Sequence, residues 1–175
     1  MKPMQVKNLV LCALFAALVA VCAQISIPLG PVPVTLSLLP VLLCAALMKE
    51  QHAALAMAVY MLMGVVGLPV FSGLTGGPGK LFGPTGGYII GYIPCAFLVS
   101  LVLEKWGRAY WKQCLAMVLG VAVCYVFGTV WFMLMRHMGL WESLTLCVIP
   151  FLPGDAVKIL LAAFLSVRLE IPGAY

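Results

Sequence analysis

Pro150-Phe-Leu-Pro-Gly-Asp-Ala-Val-Lys158 holds the only aspartate of the chain, Asp155, and a lysine three residues on, Lys158. An apolar run, Ile159 to Val167, follows at once. A helix starting near Gly154 would let Asp155 cap its first turn by accepting a bond from a free backbone N–H. Lys158 would share a face with Asp155, because positions i and i+3 are neighbours on a helix. Two readings of the pair stand side by side. One is a capped helix with a local ion pair. The other is a polar clamp for a small ligand, since ionisable groups at membrane depth are costly and face a bundle interior or a water-filled cavity.

Membrane depth follows from composition. The chain has 175 residues, 65% of them hydrophobic and only 9% charged, with a mean hydropathy of +1.16. A soluble domain is about a quarter charged. The sequence therefore predicts an all-α integral membrane protein. One crossing takes about 20 apolar residues, which leaves room for about six crossings and no soluble domain. The apolar runs are continuous rather than alternating, which argues against a membrane β-barrel. The reading is a single membrane domain over 1–175, with spans at about 9–25, 36–48, 53–66, 86–103, 113–135 and 155–167.

The first run carries on to about Ser26 without a clean small-residue cleavage site, so it is read as a retained helix rather than a signal peptide. Within it Ala13/Ala17 and Ala16/Ala20 are spaced by four. Such a stripe serves either packing inside the bundle or docking of another membrane protein. Ser26 to Ser37 contains Pro28, Gly30, Pro31 and Pro33 and no charge. It cannot be helix, and an uncharged apolar loop suits a lid or wall folded over the bundle. Leu36–Met48 is short for a span and interrupted by Pro40.

Gly67 to Thr85 is a second irregular, glycine-dense stretch. Gly79-Lys80 invites a phosphate-loop reading, but Leu81 stands where Ser or Thr must follow and no strand precedes it. Gly83, Gly87 and Gly91 recur every four residues, a flat face that Tyr88 adjoins; Tyr92 lies one turn beyond Tyr88. Interfacial anchoring is the plain reading of both tyrosines. Arg136 to Ser143 reads as a short loop.

The seven cysteines are odd in number, lack C-x-x-C spacing and sit mostly inside apolar runs, as buried small hydrophobes do. The two histidines, His52 and His137, are far apart, and no metal site or cofactor is expected. The net charge of +5 comes from a few basic residues at segment ends, which suits topology signals rather than nucleic acid. An even number of spans puts both termini on one side. Lys2, Lys7, Lys49, Lys105, Arg108, Lys112 and Arg168 gather there, against Lys80, Arg136 and Lys158 opposite. The positive-inside rule then places both termini in the cytoplasm. The Pro-rich loop, the Gly-rich loop and the Asp155/Lys158 motif converge on the outer face, where a mostly apolar pocket with few polar groups suits a small ligand.

Four stretches carry a family resemblance: Ile25-Ser-Ile-Pro-Leu-Gly-Pro-Val-Pro-Val-Thr-Leu36, Gly67-Leu-Pro-Val-Phe71, Gly83-Pro-Thr-Gly-Gly-Tyr88 with Gly91-Tyr92, and the opening motif. Together, in order and spacing, they resemble the BioY family, the biotin-specific S components of energy-coupling factor transporters. The resemblance implies a six-transmembrane-helix bundle of the S-component type. It implies a subunit of a bacterial cell membrane that captures biotin outside and is not an enzyme. Having no ATPase of its own, it works with a transmembrane T component and two cytoplasmic ATPases. It implies that Ala13, Ala16, Ala17 and Ala20 dock the T component. On the biotin side it points to Asp155 as acceptor of a ureido N–H, and to Lys158 for the ureido oxygen or the carboxylate. Tyr88, Phe71 and the Val32–Val34 loop would enclose the rings, with Val34 and Thr35 among the ligand-binding residues and Thr85, Gly86 and Gly87 near the carboxylate. Ser37 departs from the family, which often has glutamine there. Alternatives are an S component for another vitamin and a stand-alone permease with Asp155 as proton carrier. A membrane enzyme has little here to be built from.

Overall fold

The computed structural model describes residues 6–28 and 30–169; Lys2 and Glu170 lie outside them. It is an all-α bundle with one small hairpin. In chain order the elements are α1 (Val6–Gln24), β1 (Ser26–Ile27), β2 (Val34–Thr35), α2 (Leu38–Leu47), α3 (Glu50–Val65), α4 (Pro78–Leu81), α5 (Gly86–Trp106), α6 (Tyr110–Arg136), α7 (Leu140–Cys147) and α8 (Leu152–Arg168). Helices α1, α5 and α6 are long and apolar enough to cross a membrane alone. Helices α7 and α8 qualify together as one span bent by 56°. The expected loop at 136–143 is therefore partly helix, since α7 already begins at Leu140.

Helix α2 is the axis of the bundle. It has ten residues and buries nine of them, against α8, α5, α1 and α3. A helix that is apolar all round is surrounded on every side, and at about 1.5 Å per residue this one is about 15 Å long. Its C-terminal carbonyls are closed by side chains from α5 and the following turn. Ser100 donates to the Met48 carbonyl at 2.6 Å, and the Arg108 guanidinium donates to the Ala46 carbonyl at 3.0 Å. Buried backbone groups need such partners.

Helices α5 and α6 share the most extensive helix–helix interface. An added Cβ at Gly87 would stand 2.2 Å from Trp131 Cβ, and one at Gly128 would stand 2.3 Å from Tyr88 Cε1. Small residues on both helices allow this approach. Gly83 lies outside α5, so the flat face expected from the four-residue glycine repeat is carried by Gly87 and Gly91.

The Pro-rich stretch folds as an antiparallel hairpin pairing Ser26 with Thr35 and Ile27 with Val34. Val32 at its tip is buried, so the loop does lie over the bundle. The Gly-rich stretch is tied down at Phe71 and Thr75, whose backbones bond each other at 2.9 and 3.3 Å. Gln24 at the end of α1 clamps it from outside, donating to the Phe71 carbonyl at 3.2 Å and accepting from the Leu74 amide at 2.9 Å. Phe71 itself is buried against Tyr60, ring centroids 5.7 Å apart. All seven cysteines are free thiols.

Candidate ligand-binding site

The hairpin, the Gly-rich stretch and the start of α8 meet at one end of the bundle, above the N-terminus of α2. They enclose two adjoining cavities of about 50 Å³ each. Val32, Pro33, Thr35, Tyr88 and Tyr92 line both, so the two are neighbouring lobes of one candidate site with shared walls. The first lobe is completed by Phe151, Cys124, Tyr125, Asp155 and Lys158. The second runs toward Tyr60, Phe71, Ser72 and Thr85.

Asp155 is 5% exposed and Lys158 8%. Their ion pair spans 2.7 Å. The capping expectation fails: α8 begins at Leu152 with Pro153 in its first turn, and no side chain caps it. Asp155 therefore sits inside the helix, its own amide bonded to the Phe151 carbonyl at 2.8 Å. Its carboxylate turns sideways instead, and Tyr125 of α6 donates its hydroxyl to Oδ2 at 2.5 Å. The positive end of the α8 dipole still favours the carboxylate in that first turn. Burying two charges costs several kcal/mol per ion unless geometry and further hydrogen bonds offset it; here Lys158 and Tyr125 supply them.

A second polar group faces the same space. Ser37 stands at the N-cap of α2 yet makes no cap bond. Its hydroxyl lies 2.5 Å from that of Thr35 and 2.7 Å from that of Tyr92. Three hydroxyls thus link the hairpin, α2 and α5. Tyr92 is a cavity residue rather than an interfacial anchor. The Tyr88 hydroxyl donates to the Cys147 carbonyl at 3.1 Å, which leaves its ring for the cavity wall, edge-on to Phe151 at 6.3 Å. The Thr85 hydroxyl is buried with no partner among the described residues. The arrangement offers a fixed anion and cation at one wall, hydroxyls at the other, and aromatic and apolar sides between. Its lining matches the chemistry of a compact, mostly apolar molecule that both donates and accepts hydrogen bonds.

Of the residues predicted from sequence, Asp155, Lys158, Tyr88, Thr85, Phe71, Val34 and Thr35 all line the cavity. Gly86 and Gly87 are not among its lining residues. Gly86 gives its amide to the Gly83 carbonyl and lets the Leu81 carbonyl approach, and Gly87 packs on Trp131. The alanine stripe divides: Ala13 and Ala17 are exposed, Ala20 is half-buried, and Ala16 is fully buried. Ala16 thus faces α1's own bundle and presents no docking surface, because it lies on the inner edge of the stripe. Sequence reasoning missed Tyr125, Tyr60 and Phe151. For Tyr125 the available signal was a hydroxyl in mid-span, far from either interface where tyrosines usually sit.

The architecture is shared by a solved protein. The fold matches the crystal structure at 2.1 Å of the S-component for biotin from an ECF-type ABC transporter, with TM-score 0.88 and 26% identity over 96% of this chain and 93% of that one. Along the sequence, the chain is 37% identical to the biotin transporter BioY of Thermotoga maritima, covering 94% of this chain and 96% of the relative. It is also 37% identical to the probable biotin transporter BioY of Pyrococcus horikoshii, covering 95% and 98%. The sequence profile of the BioY family matches residues 1–172. This chain is a multi-pass membrane protein that belongs to the BioY family.

Proposed function

We propose that this protein is the high-affinity biotin-binding subunit of a vitamin uptake system. It captures biotin at the cavity end of the bundle and delivers it with an ATP-driven module made of a transmembrane T component and two cytoplasmic ATPases. The observation that carries this reading is the buried Asp155–Lys158 pair on the wall of a cavity closed by the hairpin and the Gly-rich stretch. Biotin matches that chemistry. Its ureido group brings N–H donors for Asp155 and a carbonyl acceptor within the class that Lys158 or a hydroxyl can serve. Charge-assisted bonds of this kind contribute about 1.5–3 kcal/mol each. Tyr88, Phe71, Val34 and Thr35 enclose the apolar ring system, and Thr85 offers a donor to the carboxylate.

The cavity end faces outward in this reading. Lys49 and Arg108 lie at the opposite end, beside the C-terminus of α2, and basic residues gather on the cytoplasmic side. Both termini then lie in the cytoplasm, with the bundle in the bacterial cell membrane. Two lobes of about 50 Å³ are small beside the roughly 300 Å³ of the smallest typical ligand pocket. The ligand-bound cavity is therefore wider than this one.

Equilibrium binding of labelled biotin to detergent-purified protein tests the reading, wild type beside Asp155→Asn. Tight binding lost in the variant is the expected result. Folded wild type that does not bind biotin sinks it, and a competition panel of riboflavin, thiamin and niacin then identifies any other vitamin. Transport by liposomes without partner subunits, abolished by collapsing the proton gradient, would favour a stand-alone permease instead.

A further inference from the structure

Helix α8 does not hold the Asp155 carboxylate alone. Oδ1 accepts from Lys158 Nζ at 2.7 Å, and Oδ2 accepts from the Tyr125 hydroxyl at 2.5 Å. Lys158 is one turn along the same helix, so its bond moves with α8. Tyr125 belongs to α6, so only its bond fixes the carboxylate relative to a second wall of the cavity. A carboxylate offers about four lone-pair sites. Two are used, and Asp155 still lines the cavity with the rest.

The far side of the same bond faces different surroundings. Tyr125 and Asp155 also line a groove of about 430 Å³ between α6 and α8. Every other lining side chain there lacks nitrogen and oxygen: Cys114, Val118, Val121, Ala122, Leu152, Ala156, Ile159 and Leu160. Val118, Leu152 and Leu160 stand about half exposed on the lipid-facing surface. The Tyr125–Asp155 bond is therefore the partition between the polar cavity and an apolar groove. A carboxylate released by Tyr125 gains freedom to rotate toward a space where no other side chain can satisfy it.

We infer that Tyr125 is a positioning residue for ligand recognition: its hydroxyl sets the plane of the Asp155 carboxylate so that the remaining lone pairs meet N–H donors of the ligand. The inference rests on the reading of Asp155 as the ligand's acceptor. The same two helices supply a matched control. Ser166 of α8 donates to Gln113 Oε1 of α6 near the opposite end, a second polar bridge over the same seam that touches neither cavity.

The test measures the biotin Kd and the thermal midpoint of purified wild type, Tyr125→Phe, Tyr125→Leu and Gln113→Leu. Loss of the hydroxyl alone should raise Kd about tenfold, with Tyr125→Leu at least as weak. Gln113→Leu should loosen the seam, lowering the midpoint, while Kd stays within about twofold. Should Gln113→Leu fail to fold, Ser166→Ala breaks the same bridge from its other side. Wild-type affinity in Tyr125→Phe overturns the inference, as does a control that weakens binding as much as Tyr125→Phe. Wild type that binds no biotin overturns the biotin reading itself, and this inference falls with it.

Discussion

Phe71 presses its ring edge against the backbone of Gly64, so closely that a Cβ there would stand 2.0 Å from Phe71 Cζ. Gly64 is buried near the end of α3, and Phe71 is a wall of the second cavity lobe. The missing side chain of one residue makes the seat of the other. Gly64→Ala must push Phe71 off its seat, because the clashing atoms belong to a stiff ring packed against Tyr60. Overpacking of this kind costs about 1–3 kcal/mol. The expected result is a lower thermal midpoint together with weaker biotin binding, read by thermal shift with and without biotin.

The buried ion pair separates stability from recognition. Lys158→Met leaves Asp155 buried with Tyr125 as its remaining partner, and unpairing a buried charge costs about 3–5 kcal/mol. Asp155→Asn strands Lys158 in the same way. The double variant Asp155→Asn/Lys158→Met removes both charges and should regain much of the lost stability. It should not regain biotin binding. Melting curves for all three, set beside binding isotherms, check this; a double variant that binds like wild type refutes the site.

Gln24 ties the Gly-rich stretch to α1 through the Phe71 carbonyl and the Leu74 amide. Leu74 holds a positive φ of 53° next to Gly73 at 77°, a turn that the clamp helps to maintain. Gln24→Leu should raise amide hydrogen exchange across 68–77 while leaving α5 and α6 protected, since local opening follows the loss of local bonds. Biotin dissociation should speed up several-fold. Unchanged exchange at Leu74 would show that the clamp is dispensable.

The hydroxyls of Thr35, Ser37 and Tyr92 act as one group. Ser37→Ala and Tyr92→Phe each remove about 1 kcal/mol of hydrogen bonding from a buried polar chain. Because each change strands the other's partner, the double variant should cost less than the sum, a coupling that a double-mutant cycle on stability measures.

The alanine stripe of α1 predicts two phenotypes from one motif. Ala16→Leu inserts three carbons at a fully buried position and should destabilise by about 1–3 kcal/mol. Ala17→Leu lies on the exposed edge and should leave melting and biotin binding unchanged. If the proposed T component docks on that edge, the variant's defect should emerge only in co-purification with, and uptake through, that component and the proposed ATPases. Normal uptake by Ala17→Leu removes that edge from the docking face.

Much of this was legible because charge and proline are conspicuous in an apolar chain. Asp155 and Lys158 stood out at the head of an apolar run, and the cost of burial there forces a partner. The uncharged Pro-rich stretch suited a wall over the bundle, and Val32 is buried there while Ile27, Pro28 and Gly30 stay exposed. Tyr125 was hidden because its partner lies 30 residues away, and its mid-span hydroxyl was a hint that named no partner. Helix α2 was half visible. Its shortness and Pro40 were plain, but an apolar surface looks the same whether lipid or protein covers it. Glycine was the ambiguous letter: the density around Gly86 and Gly87 suggested backbone donors for a ligand, whereas those residues serve close packing of α4, α5 and α6.

The shortness of α2 has an electrical meaning. Along the axis of the bundle the sealed apolar plug is about 15 Å, while the surrounding hydrocarbon is about 30 Å thick. A transmembrane voltage falls mainly where water and polar groups are absent, so the field is concentrated across α2. A charge resting in the cavity above the plug feels little of it, and ligand capture should be nearly independent of voltage. Passage beyond α2 carries nearly the whole drop, about 2.3 kcal/mol per elementary charge per 100 mV. With the cavity facing outward as proposed, that drop opposes the inward passage of an anionic ligand, and an outside source of energy for release is what the proposed ATPase module would supply.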